Sequence, residues 1–125
     1  MFSHVMVGTT DVARAKDFYD AVLGTLGVKP GMNFGTRVFY MSPAGNFAAT
    51  LPINGQPPSV ANGSTVAFAC ASTEQVDAWH AAGLAAGGTT CEDPPGLRDN
   101  GPVKLYLAYL RDPDGNKICA THRVS

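Results

Sequence analysis

The chain has 125 residues, enough for one domain with its own core. A formal net charge of −1 and a charged share of only 15% leave no electrostatic footprint for nucleic acid or an acidic lipid surface, and no apolar run approaches the roughly 20 residues of a spanning helix. Three cysteines without metal-finger spacing (Cys70, Cys91, Cys119) argue against a disulfide framework and suit a reducing cytoplasm, and the opening Met1-Phe2-Ser3-His4 lacks the basic-then-apolar pattern of a secretion signal.

In chain order, a first strand is expected over residues 5–7. Val12, Ala15, Phe18, Tyr19, Val22 and Leu26 step by three and four, which places a helix over 11–23 with one apolar face. Asp11 suits its N-cap, and Gly24 or Gly27 its stop. A short strand near 29–34 precedes strands over 36–42 and 47–51, joined at Pro43-Ala44-Gly45-Asn46. Residues 54–64 (NGQPPSVANGS) have turn composition and no periodicity, and read as a linker. A strand over 66–70 then leads to a helix over 73–86, with Ser72 and Gln75 as a capping box and Gly87-Gly88 as a left-handed exit. A short strand at 89–91 and an irregular stretch over 93–102 (DPPGLRDNGP) follow. Strands over 105–111 and 117–121 flank Asp112-Pro113-Asp114-Gly115, whose Asp, Pro and Gly occupy the positions a hairpin turn favours.

The second half repeats the first. His4, Phe18, Tyr19 and Leu23 match Thr65, Trp79, His80 and Leu84 at one offset of 61 residues (65 − 4, 79 − 18, 80 − 19, 84 − 23). Pro43-Ala44-Gly45-Asn46 returns as Pro113-Asp114-Gly115-Asn116, 70 residues later (113 − 43). The duplication predicts an α+β fold of two βαβββ modules related by a pseudo-two-fold: module one about 1–53, module two about 65–125. Neither half is self-sufficient at about 60 residues, so 1–125 forms one domain around a cleft between the modules.

These motifs resemble the vicinal oxygen chelate superfamily, which includes lactoylglutathione lyase (glyoxalase), extradiol dioxygenases, and bleomycin- and fosfomycin-resistance proteins. In module one the resemblance rests on His4-Val5, Asp11, Phe18-Tyr19 and Leu23-Gly24. In module two it rests on Val66-Ala67-Phe68, Val76-Asp77-Ala78-Trp79-His80 and Asp112-Pro113-Asp114-Gly115-Asn116-Lys117-Ile118. Small bacterial glyoxalase-like proteins also share the Pro-Gly-Leu-Arg stretch ending at Arg98. The resemblance implies a curved mixed sheet around a cavity, a homodimer, and a divalent metal held by His and Glu on the first and last strands of each module. The internal repeat assigns those metal positions to His4, Ala49, Thr65 and Cys119. Ala49 has no donor atom and Thr65 only a neutral hydroxyl, whereas a catalytic zinc has three protein ligands and manganese or magnesium prefers hard oxygens. The expectation is therefore that no metal and no other cofactor is bound.

The remaining candidates each carry two readings. His4 is a general base or residual ligand, or a polar remnant with no proton to move. Cys119 is a nucleophile, or a small buried strand residue. Arg98 offers its fork to a carboxylate or phosphate, or pairs with Asp99 or Asp93 at the surface; Arg37 is a weaker case. Tyr106 and Tyr109 point to opposite faces of one strand. Tyr109 matches Phe39 and is assigned to the core, which leaves Tyr106 as a cavity wall. His80 is read as helix-face packing, and His122 as pointing away from Cys119. Met6, Gly8, Ala67 and Ala69 share the face of His4 and Thr65, and small side chains there leave room for a ligand. Three functions compete. The first is a lyase or isomerase acting on a small oxygenated molecule, with His4 as base and Thr65, Tyr106, Arg98, Cys119 and Ala49 around the substrate. The second is a metal-free binder of a drug or metabolite, and the third a partner module with an idle cleft. The expected partners are a small molecule and a second copy of the chain, with no nucleic acid and no membrane.

Overall fold

The computed structural model describes residues 1–124. The first module runs β1 (His4–Gly8), α1 (Val12–Gly24), β2 (Met32–Asn33), β3 (Arg37–Ser42) and β4 (Gly45–Thr50). The second runs β5 (Val66–Ala69), α2 (Thr73–Ala85), β6 (Thr89–Thr90), β7 (Gly96–Asp99), β8 (Lys104–Arg111) and β9 (Lys117–Arg123). Among the described residues, no helix is long and apolar enough to cross a membrane.

Both helices start where their caps demand. Asp11 is extended, and its Oδ1 accepts from the Arg14 amide at 3.0 Å, satisfying one donor that the first turn leaves orphaned. Ser72 does the same for Gln75 at 3.1 Å. The Gln75 side chain reaches back to the Ala71 amide at 2.6 Å, one residue earlier than a standard capping box, and its Nε2 donates to the Thr25 carbonyl at the end of α1. Gly87 provides the left-handed exit at φ +105°, letting the Gly88 amide bond the Gly83 carbonyl. Gly83 has a separate reason to be glycine. A Cβ there would lie 2.2 Å from Leu110 Cδ1 and 3.2 Å from Val22 Cγ1, so the missing side chain is what lets α2 lie against β8 and α1.

The strands form two mixed sheets, ordered β1-β4-β3-β2 and β5-β9-β8-β6, with β7 added on β8. In each, the first strand pairs parallel with the last and the remaining pairings are antiparallel. The α+β architecture and its repeated module are as expected. The stretch over 93–102 is a correction: four of its residues form β7, so Arg98 belongs to a strand. Its alternation is hidden by prolines and glycines on both sides, and pairing with the long β8 supplies the order.

One apolar core lies under both helices and joins the modules. Tyr19 packs on Phe47 at 4.7 Å between ring centroids, Phe47 on Phe68 at 5.2 Å and Phe68 on Trp79 at 6.5 Å, so a continuous aromatic row crosses from α1 to α2. Paired strand residues share a face, which sorts the sheets. Val7, Val38, Tyr40, Phe47 and Ala49 point to the helices in the first sheet; Ala108, Leu110, Ile118 and Ala120 do so in the second. Met6 and Ala48, or Tyr109 and Cys119, point to the opposite, open face.

A polar fastening completes the union. The Asp112 carboxylate, in the β8–β9 turn, accepts from Tyr19 Oη on α1 at 2.6 Å and from the Asn116 side-chain amide at 2.9 Å. That same Asn116 amide donates to the Gly8 carbonyl at the end of β1 at 2.8 Å. Asp114 accepts from Thr9 Oγ1 (2.5 Å), the Thr10 amide (2.9 Å) and Arg14 (2.7 Å). The Asp-Pro-Asp-Gly-Asn string is thus a hairpin turn whose side chains hold module one.

Candidate functional site

The register shows where the repeat slips. Met6 faces Ala48 across β1 and β4, while its counterpart Ala67 faces Cys119 across β5 and β9. The counterpart of Cys119 is therefore Ala48, 71 residues away (119 − 48), not Ala49. The β8–β9 turn is one residue longer than the β3–β4 turn: Arg111 pairs with Lys117, but Met41 with Asn46. A one-residue slip moves a strand residue to the other face, and Ala49 accordingly packs among the helices with no exposed surface.

His4 is exposed on the open face of the first sheet, where its Nδ1 lies 3.0 Å from Ser3 Oγ. Thr65 is exposed one residue before β5, and Cys119 is buried on the open face of the second sheet, its Sγ 3.3 Å from Thr121 Oγ1. His4 and Cys119 lie on different sheets, and their side chains meet Ser3 and Thr121 rather than each other. Among the described residues, no group of three or more His, Cys, Asp or Glu side chains could hold a metal. Ala48, which takes the place assigned to Ala49, adds no donor. The residues present do not fit the divalent ion the family resemblance implies. Burial pushes the Cys119 thiol above its ordinary value, which works against the thiolate a nucleophile needs.

The two tyrosines exchange the faces expected of them. Tyr106 pairs with His122, packs against the helix-side core and donates its hydroxyl to Asp77 on α2 at 2.8 Å. Tyr109 pairs with Cys119 on the open face, where Lys117 lies 5.0 Å from its ring centroid. Its match to Phe39 holds, but Phe39 is itself an open-face residue, paired with Ala48. His122 does point away from Cys119, and its Nδ1 meets the Cys70 carbonyl at 3.1 Å. Arg98 pairs with neither aspartate side chain. Its guanidinium donates to the carbonyls of Gly96 (3.0 Å), Asp93 (3.2 Å) and Pro94 (3.2 Å), folding the loop that leads into β7.

The space between the modules lies elsewhere. A cleft of about 440 Å³ opens between the modules on the helix side. Its first-module wall is Val5, Leu23, Leu26, Val28, Tyr40 and Phe47. Facing them are Val66 and Phe68 of β5, with Ala67 and Ala69 at the rim; the β3–β4 turn closes one end. Tyr40 is the one titratable side chain along it, and its hydroxyl is spent: it lies 2.8 Å from Asp20 Oδ1 and 3.1 Å from the Lys16 carbonyl. Burial, with the Asp20 carboxylate beside it, raises the Tyr40 pKa far above that of an ordinary phenol. Of the small open-face residues expected to leave room for a ligand, only Ala67 and Ala69 border the cleft; Gly8 lies beneath Pro58 of the linker. A second cavity of about 530 Å³ lies between that linker and Arg37, whose guanidinium-bearing side chain is on its lining. Sequence reasoning expected a cleft between the modules but not these walls, because they are ordinary core types. The available signal was the aromatic pair Phe47 and Phe68 on strands of different modules.

Two related modules, β1–β4 with α1 and β5–β9 with α2, are fused through one core and leave a cleft between them, which defines a paired-module α+β protein. Within that class, the chain belongs to the glyoxalase/bleomycin resistance protein/dioxygenase superfamily, whose sequence profile matches residues 1–120. It is similar to a glyoxalase/bleomycin resistance protein from Albidiferax ferrireducens, at 67% identity over 98% of this chain and 99% of that one, with a TM-score of 0.96. It shares its fold with a glyoxalase-related enzyme from Fulvimarina pelagi (20% identity, 98% and 87% covered, TM-score 0.75). The same holds for a family enzyme from Burkholderia phytofirmans (18%, 96% and 96%, TM-score 0.71). No curated protein matches.

Proposed function

We propose that this chain is a metal-independent binding protein that holds a small molecule in the cleft between its modules. The observation that carries this is the lining: about 440 Å³ of apolar wall with a single titratable group, whose hydroxyl is already engaged. Such a surface desolvates a ligand but has no acid or base to move its protons. The lyase or isomerase reading needs a base on the ligand, and His4 does not line this cleft. Three free cysteines suit the cytoplasm as its compartment. Exposed Met6, Met32 and Met41 on the open face of the first sheet suit burial against a second copy, so a homodimer accompanies the proposal.

A thermal-shift screen over neutral and charged metabolites and drugs tests this, since a ligand that binds only the folded state raises Tm by mass action. The expected result is hits whose shifts disappear when Ala44→Trp or Ala69→Trp fills the rim. Both positions are exposed, so the fold tolerates the larger side chain. Hits insensitive to both variants, or turnover lost on His4→Ala, overturn the proposal.

A further inference from the structure

We infer that the cleft selects an uncharged, ring-sized apolar ligand carrying at most one hydrogen-bonding substituent. This rests on the reading of the cleft as the ligand site and adds its chemical class.

The cleft exists because the duplication is asymmetric. In module two, the Asp112–Asn116 turn fastens to the end of β1 and to Tyr19. The symmetric partners in module one are the Ser42–Gly45 turn, the end of β5 and His80. Here the turn is one residue shorter and carries Ser42 where module two has Asp112. The Ser42 hydroxyl folds back on the Gly45 carbonyl at 2.7 Å instead of crossing to α2. Ser42, Gly45, Ala67 and Ala69 are left as opposite banks of the cleft. What would have been a second polar fastening is an apolar space.

Charge decides the ligand class. Among the described residues, no Lys, Arg, His, Asp or Glu lines the cleft. A carboxylate or ammonium seated against these walls would give up water with no counter-ion to replace it, which disfavours it relative to a neutral group. Size follows from volume: about 440 Å³ is roughly three times the ~150 Å³ cavity that admits benzene, which suits two or three fused rings. Shape follows from Phe47 and Phe68, whose rings meet nearly edge to face at 80° and offer a π surface from each module. The polar side chains on the lining besides Tyr40 are Ser3, Ser42 and Asn46, placed where one hydroxyl or carbonyl of the ligand meets the rim.

The test uses matched probes on the whole protein: naphthalene, 2-naphthol and 2-naphthoate at pH 7. The readout is the part of the thermal shift that Ala44→Trp or Ala69→Trp removes. Ring-proton NOEs to the Val5 and Val66 methyls of the unsubstituted protein provide a second measure that needs no variant. Expected are cleft-dependent shifts and NOEs for 2-naphthol and naphthalene, with 2-naphthoate at least about tenfold weaker. Equal or tighter cleft-dependent binding of 2-naphthoate overturns the charge rule while leaving the binding reading intact. Neither shift nor NOE for any of the three overturns both.

Discussion

The sharpest test of the fold is the Tyr19–Asp112 contact. Asp112 is 4% exposed, and its carboxylate accepts four bonds: Tyr19 Oη at 2.6 Å, the Asn116 amide and side chain at 2.9 Å each, and the Asp114 amide at 3.0 Å. Tyr19→Phe removes one of these donors and leaves the acceptor with three. A hydrogen bond to a charged group contributes about 1.5–3 kcal/mol, and the retained partners put the loss near 1.5–2 kcal/mol. Asp112→Asn conserves volume but replaces one oxygen with a donor, aimed at two donors already present. That leaves a buried clash of like partners and should cost about 3–5 kcal/mol, a large part of the 5–15 kcal/mol available to a domain. The double variant should be less destabilised than the sum, with a coupling of about 1–2 kcal/mol, because both changes remove the same bond. Urea unfolding followed by Trp79 fluorescence and by far-ultraviolet circular dichroism measures all four proteins at matched m values. Strict additivity, or a Tyr19→Phe loss below about 0.5 kcal/mol, would refute the fastening as a source of stability.

Tyr19 and Tyr40 are both raised above the ordinary phenol, first by burial and then by Asp112 and Asp20 respectively. The unfolded chain ionises them near pH 10, so their contribution is complete below that pH and is lost as pH climbs above it. The slope should approach about 1.4 kcal/mol per pH unit for each phenol, and a flat urea midpoint between pH 10 and 12 would contradict it. Gly83→Ala drives a methyl into Leu110 and Val22 and should cost about 1–3 kcal/mol by the same urea measurement, whereas no loss would mean that α2 can shift. Arg98→Ala frees three carbonyls and should speed amide exchange at residues 96–99 about tenfold or more with little change in global stability; unchanged exchange would show that β8 alone holds β7. Exhaustive dialysis against a chelator should leave both Tm and cleft binding unchanged, and binding that is lost and then restored by a divalent ion would mean a metal takes part.

Most of the architecture was legible because local signals agreed with one another. Asp11 and Ser72 sit at helix starts, Gly27 and Gly87 at exits, and alternating apolar residues between them mark strands. The α1 stripe of Val12, Ala15, Phe18, Tyr19 and Val22 is buried as its spacing requires. β7 was illegible because its order comes from β8, not from its own residues. Faces were harder than elements. Strand parity depends on counting through a turn, and the matching Pro-x-Gly-Asn strings concealed one extra residue, enough to send Ala49 to the helices. Tyr106 and Tyr109 were mis-sorted for a related reason. Tyr109 was assigned by likeness to Phe39, and an aromatic residue on an open sheet face looks in sequence like one in the core. Arg98 looked available because a sequence shows side chains and not the backbone carbonyls that claim them.

Turn chemistry, more than any liganding residue, sets the character of this protein. Asp112, Asp114 and Asn116 spend their polar atoms on Gly8, Thr9, Thr10, Arg14 and Tyr19, so the most specific string in the chain does structural work. Its shorter counterpart makes no such crossing, and the two modules stand apart along that edge. A symmetric duplication would have closed both edges and left no room beside Phe47 and Phe68. Restoring symmetry should therefore abolish the site: inserting one residue after Pro43 while converting Ser42 to Asp and His80 to Tyr rebuilds the second fastening. Such a variant should unfold at higher urea concentration than the parent and lose cleft-dependent binding of 2-naphthol. Gained stability with binding retained would mean the space beside Phe68 does not owe its existence to the missing contact.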